Sequence, residues 1–185
     1  MREVVFLLEE ESAKVLIEGI ITKIRGNDNK EPQCKYIVFE GKRDLQKKLF
    51  KKLNGYCNQE AVFIIMQDQD SEDCKRLKQK LDTICKQSNK CNYKIRILCR
   101  ELESWYLADL EAIEKAFGVS GIVQKQRKKK FRNPDELGNP AYELKKLIPG
   151  YQKIMSAREI APFIDIQNTR SRSFHNFIKT ITEIV

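Results

Sequence analysis

The sequence predicts a three-layer α/β fold around a mostly parallel, four-stranded sheet. Three observations carry this. Four short β-branched, apolar stretches lie at 3–9, 35–40, 61–67 and 93–99. Two of them, "EVVFLLE" and "AVFIIMQ", are almost continuously apolar, as strands buried on both faces are. Each stretch is followed by apolar residues at helical spacing, and that alternation is the signature of a parallel sheet wrapped by helices.

The elements follow in order. After the first strand, Leu16, Ile17, Ile20, Ile21 and Ile24 repeat with helical period. "KYIVFE" precedes a helix marked by Leu45, Leu49 and Leu53. The third strand leads to Cys74, Leu77, Leu81 and Ile84 on one face, and "YKIRILC" leads to Leu102, Trp105, Tyr106, Leu110, Ile113 and Phe117. Residues 1–118 thus read as the α/β core. No comparable strand follows. From 119 to 185 the pattern is helical: a turn and helix at 133–148 with Pro134 and Pro140 at early positions, a short helix at 156–165 ending near Pro162, and an amphipathic helix at 171–184. This part reads as a C-terminal lobe packed on the core as one unit.

Composition narrows the function. No apolar run is long enough to span a bilayer. "MREVVFLLEEES" turns acidic too early for a secretion signal, so it reads as a first strand. The six cysteines (Cys34, Cys57, Cys74, Cys85, Cys91, Cys99) form no CxxC pair, and His175 is the one histidine. That argues against structural zinc and for free thiols in a reducing cytoplasm. Cys74 and Cys99 read as core packing, as do Trp105 and Tyr106. The net charge of +9 favours a polyanionic partner. "KQRKKKFR", with Lys128, Lys129 and Lys130 at its centre, is either a nucleic-acid contact or a solvated loop.

Ligands of parallel α/β sheets bind at the carboxyl ends of the strands. Here the first strand ends in Glu9-Glu10-Glu11-Ser12, the third in Asp68-Gln69-Asp70-Ser71, and the fourth in Arg100-Glu101-Leu102-Glu103. Gathered carboxylates repel unless a cation neutralises them, and hard oxygen donors select Mg2+ or Mn2+. Each acid also has a local use. Ser12, Asp70 or Ser71 can cap the following helix, and Glu10 and Glu11 suit a first turn. The coincidence at three strand ends favours a metal site.

"FLLEEES" and "FIIMQDQD" together resemble the Toprim pattern, a glutamate after the first strand and Asp-x-Asp after a later one. Glycine often follows that glutamate; here Glu10 does. A longer run of motifs is similar to domain of unknown function family 4276: "LLEEES", "EGKRDL", "QDQDSEDCKRLK", "RELESWYLAD", "NPAYELKKL", "SAREIAPFID" and "RSRSFHNF". The resemblance implies a Toprim/Rossmann-like fold related to the overcoming-lysogenization-defect nucleases. It implies Mg2+ (or Mn2+) at Glu9, Asp68 and Asp70, with Glu101 and Glu103 as further ligands, and hydrolysis of phosphodiesters in DNA or RNA. It also implies a bacterial defence role beside an ATPase partner.

Arg100, Arg158, Arg170 and Arg172 are the candidate phosphate contacts, with Lys42 and Arg43 behind them, while "NTRSRSF" equally suits a plain cap on the last helix. Two other readings stay open: a non-catalytic subunit that binds nucleic acid or an ATPase, and a receiver- or phosphatase-like phosphoryl-transfer domain. A receiver wants a lysine on a fifth strand, which the pattern lacks.

Overall fold

A computed structural model describes residues 3–26, 32–90 and 92–185, which leaves Cys91 outside the described residues. Strands and helices alternate as β1 (Glu3–Leu8), α1 (Glu11–Arg25), β2 (Gln33–Val38), α2 (Lys42–Asn54), β3 (Val62–Asp68), α3 (Cys74–Lys86) and β4 (Tyr93–Leu98). The sheet order is β2-β1-β3-β4 and every pair is parallel. The chain leaves β1 toward β2 on one side, then crosses back to place β3 on the other. The point where the winding reverses therefore lies between β1 and β3, the usual crevice for a ligand in such sheets.

Both central strands are buried along their whole length, which explains their unbroken apolar sequence. Val5, Leu7, Phe63 and Ile65 face α2 and α3 through Leu45, Leu49, Leu53 and Leu81. Val4, Phe6, Ile64 and Met66 face the other layer, built by α1 and everything after β4.

That second layer continues as α4 (Glu103–Ala108), α5 (Leu110–Phe117), α6 (Lys129–Arg132), α7 (Pro140–Leu147), α8 (Lys153–Ile160) and α9 (Arg172–Ile184). Pro134 and Pro140 stand in first-turn positions, where a missing N–H costs nothing. The helical run expected from 102 to 117 is broken at Asp109, whose backbone leaves the helical region. Its carboxylate accepts from Ala112 N at 3.0 Å, capping α5, and from Asp165 N at 2.8 Å, tying α5 to the segment after α8.

The helices after residue 118 share the apolar cluster of the strands. Trp105 lies against Phe174 and Phe177, ring centres 5.1 Å away in each case, and its indole N–H donates to Ser173 Oγ at 2.9 Å. Trp105 and Tyr106 are thus core residues, as expected. The cysteines differ from expectation. Cys85 is buried, but Cys74 and Cys99 are only half-buried, because both line a groove beside β4.

Helix α1 touches α8 at Gly19, where a methyl group would meet the Ala161 Cβ at 2.6 Å. That close approach seats the end of α8 on the middle of α1, and the Lys153–Glu10 contact holds its start at the carboxyl end of the sheet.

Candidate functional site

The reversal point holds a knot of carboxylates. Leu8 pairs with Met66, so Glu9 and Asp68 emerge side by side from β1 and β3. Glu9 Oε2 accepts the Asp68 backbone N–H at 3.2 Å. Asp68 is buried, and among the described residues no donor bonds its carboxylate. Burial, reinforced by the charges of Glu9, Glu10 and Glu103, pushes the Asp68 carboxyl far above the usual carboxylate range. Burial also raises Glu9, with Asp70 and Glu10 adding repulsion.

Glu103, the first residue of α4, turns inward and is almost wholly buried. Tyr151 Oη donates to its Oε1 at 2.7 Å, while its Oε2 is buried without a partner. Burial raises the Glu103 carboxyl as well, against the opposing Tyr151 hydrogen bond. The Tyr106 hydroxyl, fully buried and likewise unpartnered, feels the charges of Glu103, Glu10 and Asp68.

Glu10 occupies the cap position of α1 and accepts from Ser12 Oγ. Its other oxygen accepts from Lys153 Nζ at 2.7 Å. Burial lowers the proton affinity of Lys153, but the Glu10 hydrogen bond and the Glu103 and Asp68 charges outweigh it, so the amine is held cationic. Lys153 is the cation that the structure sets against the knot.

Beyond Asp68 the two strand ends are laced together. Gln69 N donates to Leu98 O at 2.9 Å and Asp70 N to Arg100 O at 2.7 Å. Asp70 and Arg100 both take left-handed backbone conformations, φ 52° and 62°, the two described non-glycine residues that do so. Such strain gathers at sites where a loop must hold one shape. Lys42, at the start of α2, donates to Asp70 Oδ2 at 2.5 Å and lies 3.5 Å from Glu72.

The structure therefore gathers Glu9, Asp68, Asp70 and Glu103 from the sequence expectation. It turns Glu101 elsewhere: Glu101 Oε2 accepts from Ala141 N at 3.1 Å, at the start of α7. Asp73, not Asp70 or Ser71, caps α3, so Asp70 is left for other work. Among the described residues no three His, Cys, Asp or Glu side chains are arranged to hold a metal ion. A closed cage is thus not preformed. Mg2+ commonly takes only one or two protein carboxylates and completes its shell with water and substrate phosphate. Glu9 and Asp68 are hard-oxygen donors, Asp68 lacks a protein donor, and Glu103 Oε2 is buried and orphaned. The donor set fits such a cation.

Residues 8–182 match the family described as a domain of unknown function, DUF4276. The chain belongs to this family. No curated protein matches it. Its fold is that of the C-terminal region of the Burkholderia pseudomallei OLD protein, with a TM-score of 0.57 over 97% of each chain at 15% identity. Among the described residues no helix is long and apolar enough to cross a membrane.

Within this family member the expected phosphate contacts separate. Arg100 stands at the site, its Nη1 3.4 Å from Asp70 O. Arg170 instead donates to the main-chain carbonyls of Ala108 at 3.1 Å and Phe131 at 2.6 Å, a clamp between the end of α4 and α6. Arg158, Arg172 and Lys128 are exposed, as are Lys129 and Lys130 on α6; Lys130 pairs with Glu143 at 2.5 Å. Three members of the site escaped the sequence reading: Lys153, Tyr151 and Glu10 as an acceptor. The motif "GYQKIMSAREI" carried the only signal, a tyrosine and lysine just before a helix.

Proposed function

We propose that this chain is a metal-dependent, Toprim-like nuclease that hydrolyses phosphodiester bonds in DNA or RNA. The observation that carries the reading is Asp68: a largely buried carboxylate that receives no hydrogen bond from the described residues, at the sheet's reversal point, beside Glu9, Glu10 and Glu103. Such an arrangement is costly unless a cation joins it. The likeness of fold to the OLD C-terminal region supports the reading.

Glu9 and Asp68 would hold Mg2+ or Mn2+, with Asp70, Glu103 and Glu10 as further donors; Glu101 is the weaker candidate because it is engaged at α7. The cation, when bound, would polarise a phosphoryl oxygen and acidify a bound water. The chain's own groups do the rest. Tyr151 fixes Glu103 Oε1, so that Oε2 keeps a defined direction. Lys153 stays protonated between Glu10 and the other acids and can neutralise phosphate charge. Lys42 and Arg100 stand at the opposite rim, where an entering phosphate can draw Lys42 from Asp70. Glu9 is positioned at the mouth to accept a proton from an attacking water.

By the same resemblance, an ATPase partner and a defence role are proposed for this family member. A receiver-like reading finds no support in the described sheet, which has four strands. The test is nicking of plasmid DNA, and cleavage of single-stranded DNA and RNA, with Mg2+ or Mn2+. Wild type should cut and Asp68→Ala should not. Equal cutting by both would reject the assignment.

A further inference from the structure

A second concave feature, lined by cations, lies outside the carboxylate knot. β4 is an edge strand, and α3 and α9 flank it on opposite faces. Between them runs a groove of about 620 Å³. Ile95 and Ile97 form its floor on the α3 side, and Lys78, Arg96, Arg172 and Lys179 line it against a single acid, Glu183. Lys78, Arg172 and Lys179 make no ion pair among the described residues, whereas Lys130 and Lys153 each have one and Lys42 has two. Cations that outnumber the acids of a concave surface attract a polyanion.

The groove has a direction. α3 and α9 both run antiparallel to β4, so both helices begin at the carboxyl end of the sheet. Their N-termini are already answered by carboxylates, Asp73 on α3 and Asp135 on the Ser173 N–H of α9 at 3.1 Å, so the positive charge at that mouth comes from arginine side chains. Arg172 and Cys99 mark that mouth, and Arg100 of the site follows Cys99 directly; Glu183 lies at the far end, near the last turn of α9. The cationic end thus opens beside the carboxylates.

The occupant can be chosen. An added β-strand would need the free hydrogen-bonding groups of the β4 edge. Arg96 obstructs this: its Nη1 donates to Ile95 O at 2.9 Å and its Nε to Thr180 Oγ1 at 2.8 Å, so a guanidinium lies along the edge. A duplex shows only phosphates outward and would leave the isoleucine floor unused. A single strand offers phosphates to the lysines and base faces to the floor.

We propose that the β4-edge groove is the path by which single-stranded nucleic acid enters the carboxylate site. The assignment rests on the nuclease reading only for what happens at the end of the path. Binding itself needs no metal.

The experiment is fluorescence anisotropy of a dye-labelled oligothymidylate in chelator, with the intact chain, across a salt series. Lys78→Gln/Lys179→Gln changes two exposed side chains and should fold normally, which circular dichroism checks. Binding should weaken about tenfold, and the slope of log affinity against log salt should fall by about 1.4, two phosphate contacts at about 0.7 each for single strands. Lys51→Gln/Lys52→Gln, on α2, should change neither. Wild type that fails to bind the strand at low salt, or a groove variant with unchanged affinity and slope, would overturn the proposal. So would binding of polyglutamate that responds to Lys78 and Lys179 while the oligonucleotide does not, a result that would assign the groove to an acidic protein. Failure of Mg2+-dependent cleavage with groove binding intact would instead count against the carboxylate reading alone.

Discussion

Replacing Asp68 by Asn should abolish cation-dependent cleavage and, in chelator, stabilise the fold. The structure supplies the magnitude. The Asp68 carboxylate is buried, receives no hydrogen bond from a described residue and faces the negative Glu9, Glu10 and Glu103. Desolvating a carboxylate beside like charges costs on the order of 1–3 kcal/mol, even where its oxygens keep some contact with solvent. Asn keeps the shape and removes the charge. For a chain of this length 1 kcal/mol moves the melting temperature by roughly 2–4 °C, so the gain is roughly 2–12 °C. The pH dependence has a definite sign. The proton affinities of Asp68, Glu9 and Glu103 are raised in the folded state. The stability this contributes is complete below the ordinary carboxylate range and is lost as pH rises through the raised values. Metal-free wild type should therefore melt higher at about pH 5 than at about pH 7.5, and Asp68→Asn should flatten that difference. Added Mg2+ should raise the wild-type midpoint near neutral pH and leave the variant's alone. Thermal unfolding by circular dichroism reads all of this. A variant that melts below wild type in chelator, together with a flat wild-type pH profile, would refute the reasoning.

The other tests are shorter. Lys153→Met should slow cleavage about a hundredfold or more, the scale of losing one preorganised electrostatic contact, with a stability change under about 1 kcal/mol because the side chain is half exposed. Gly19→Ala should cost about 1–3 kcal/mol in urea unfolding, because the new methyl meets Ala161 Cβ and forces α1 from α8. It should also reduce cleavage, since α8 carries Lys153. Arg170→Met should destabilise by about 1.5–3 kcal/mol in the same assay, leaving the Ala108 and Phe131 carbonyls without their charged donor, while oligonucleotide affinity stays unchanged.

Period and sequence order sufficed for the sheet. A doubly buried strand must be apolar at every position, and "VVFLL" and "VFIIM" are. The winding reversal is also what gives the acids their meaning. Glu9 and Asp68 lie 59 residues apart in the chain and meet only because β1 and β3 are neighbours. Glu101 and Glu103 looked equivalent in the sequence. Which one turns inward depends on where α4 starts, a matter of one residue. Lys153 and Tyr151 were not legible because a single lysine after an irregular stretch has no period to mark it. Cys74 and Cys99 misled for a related reason. Helical spacing shows which face a residue occupies, but not that the sheet ends at β4 and leaves that face beside a groove.

The contact between Lys153 and Glu10 spans 143 positions of the chain. During synthesis Glu9, Glu10 and Asp68 leave the ribosome long before Lys153 and Tyr151 do. A chain paused between them holds the acids without the lysine that offsets their repulsion and without the tyrosine that aims Glu103. On the proposed nuclease function, cutting would wait until Lys153 and Tyr151 have been made and have docked on the acids.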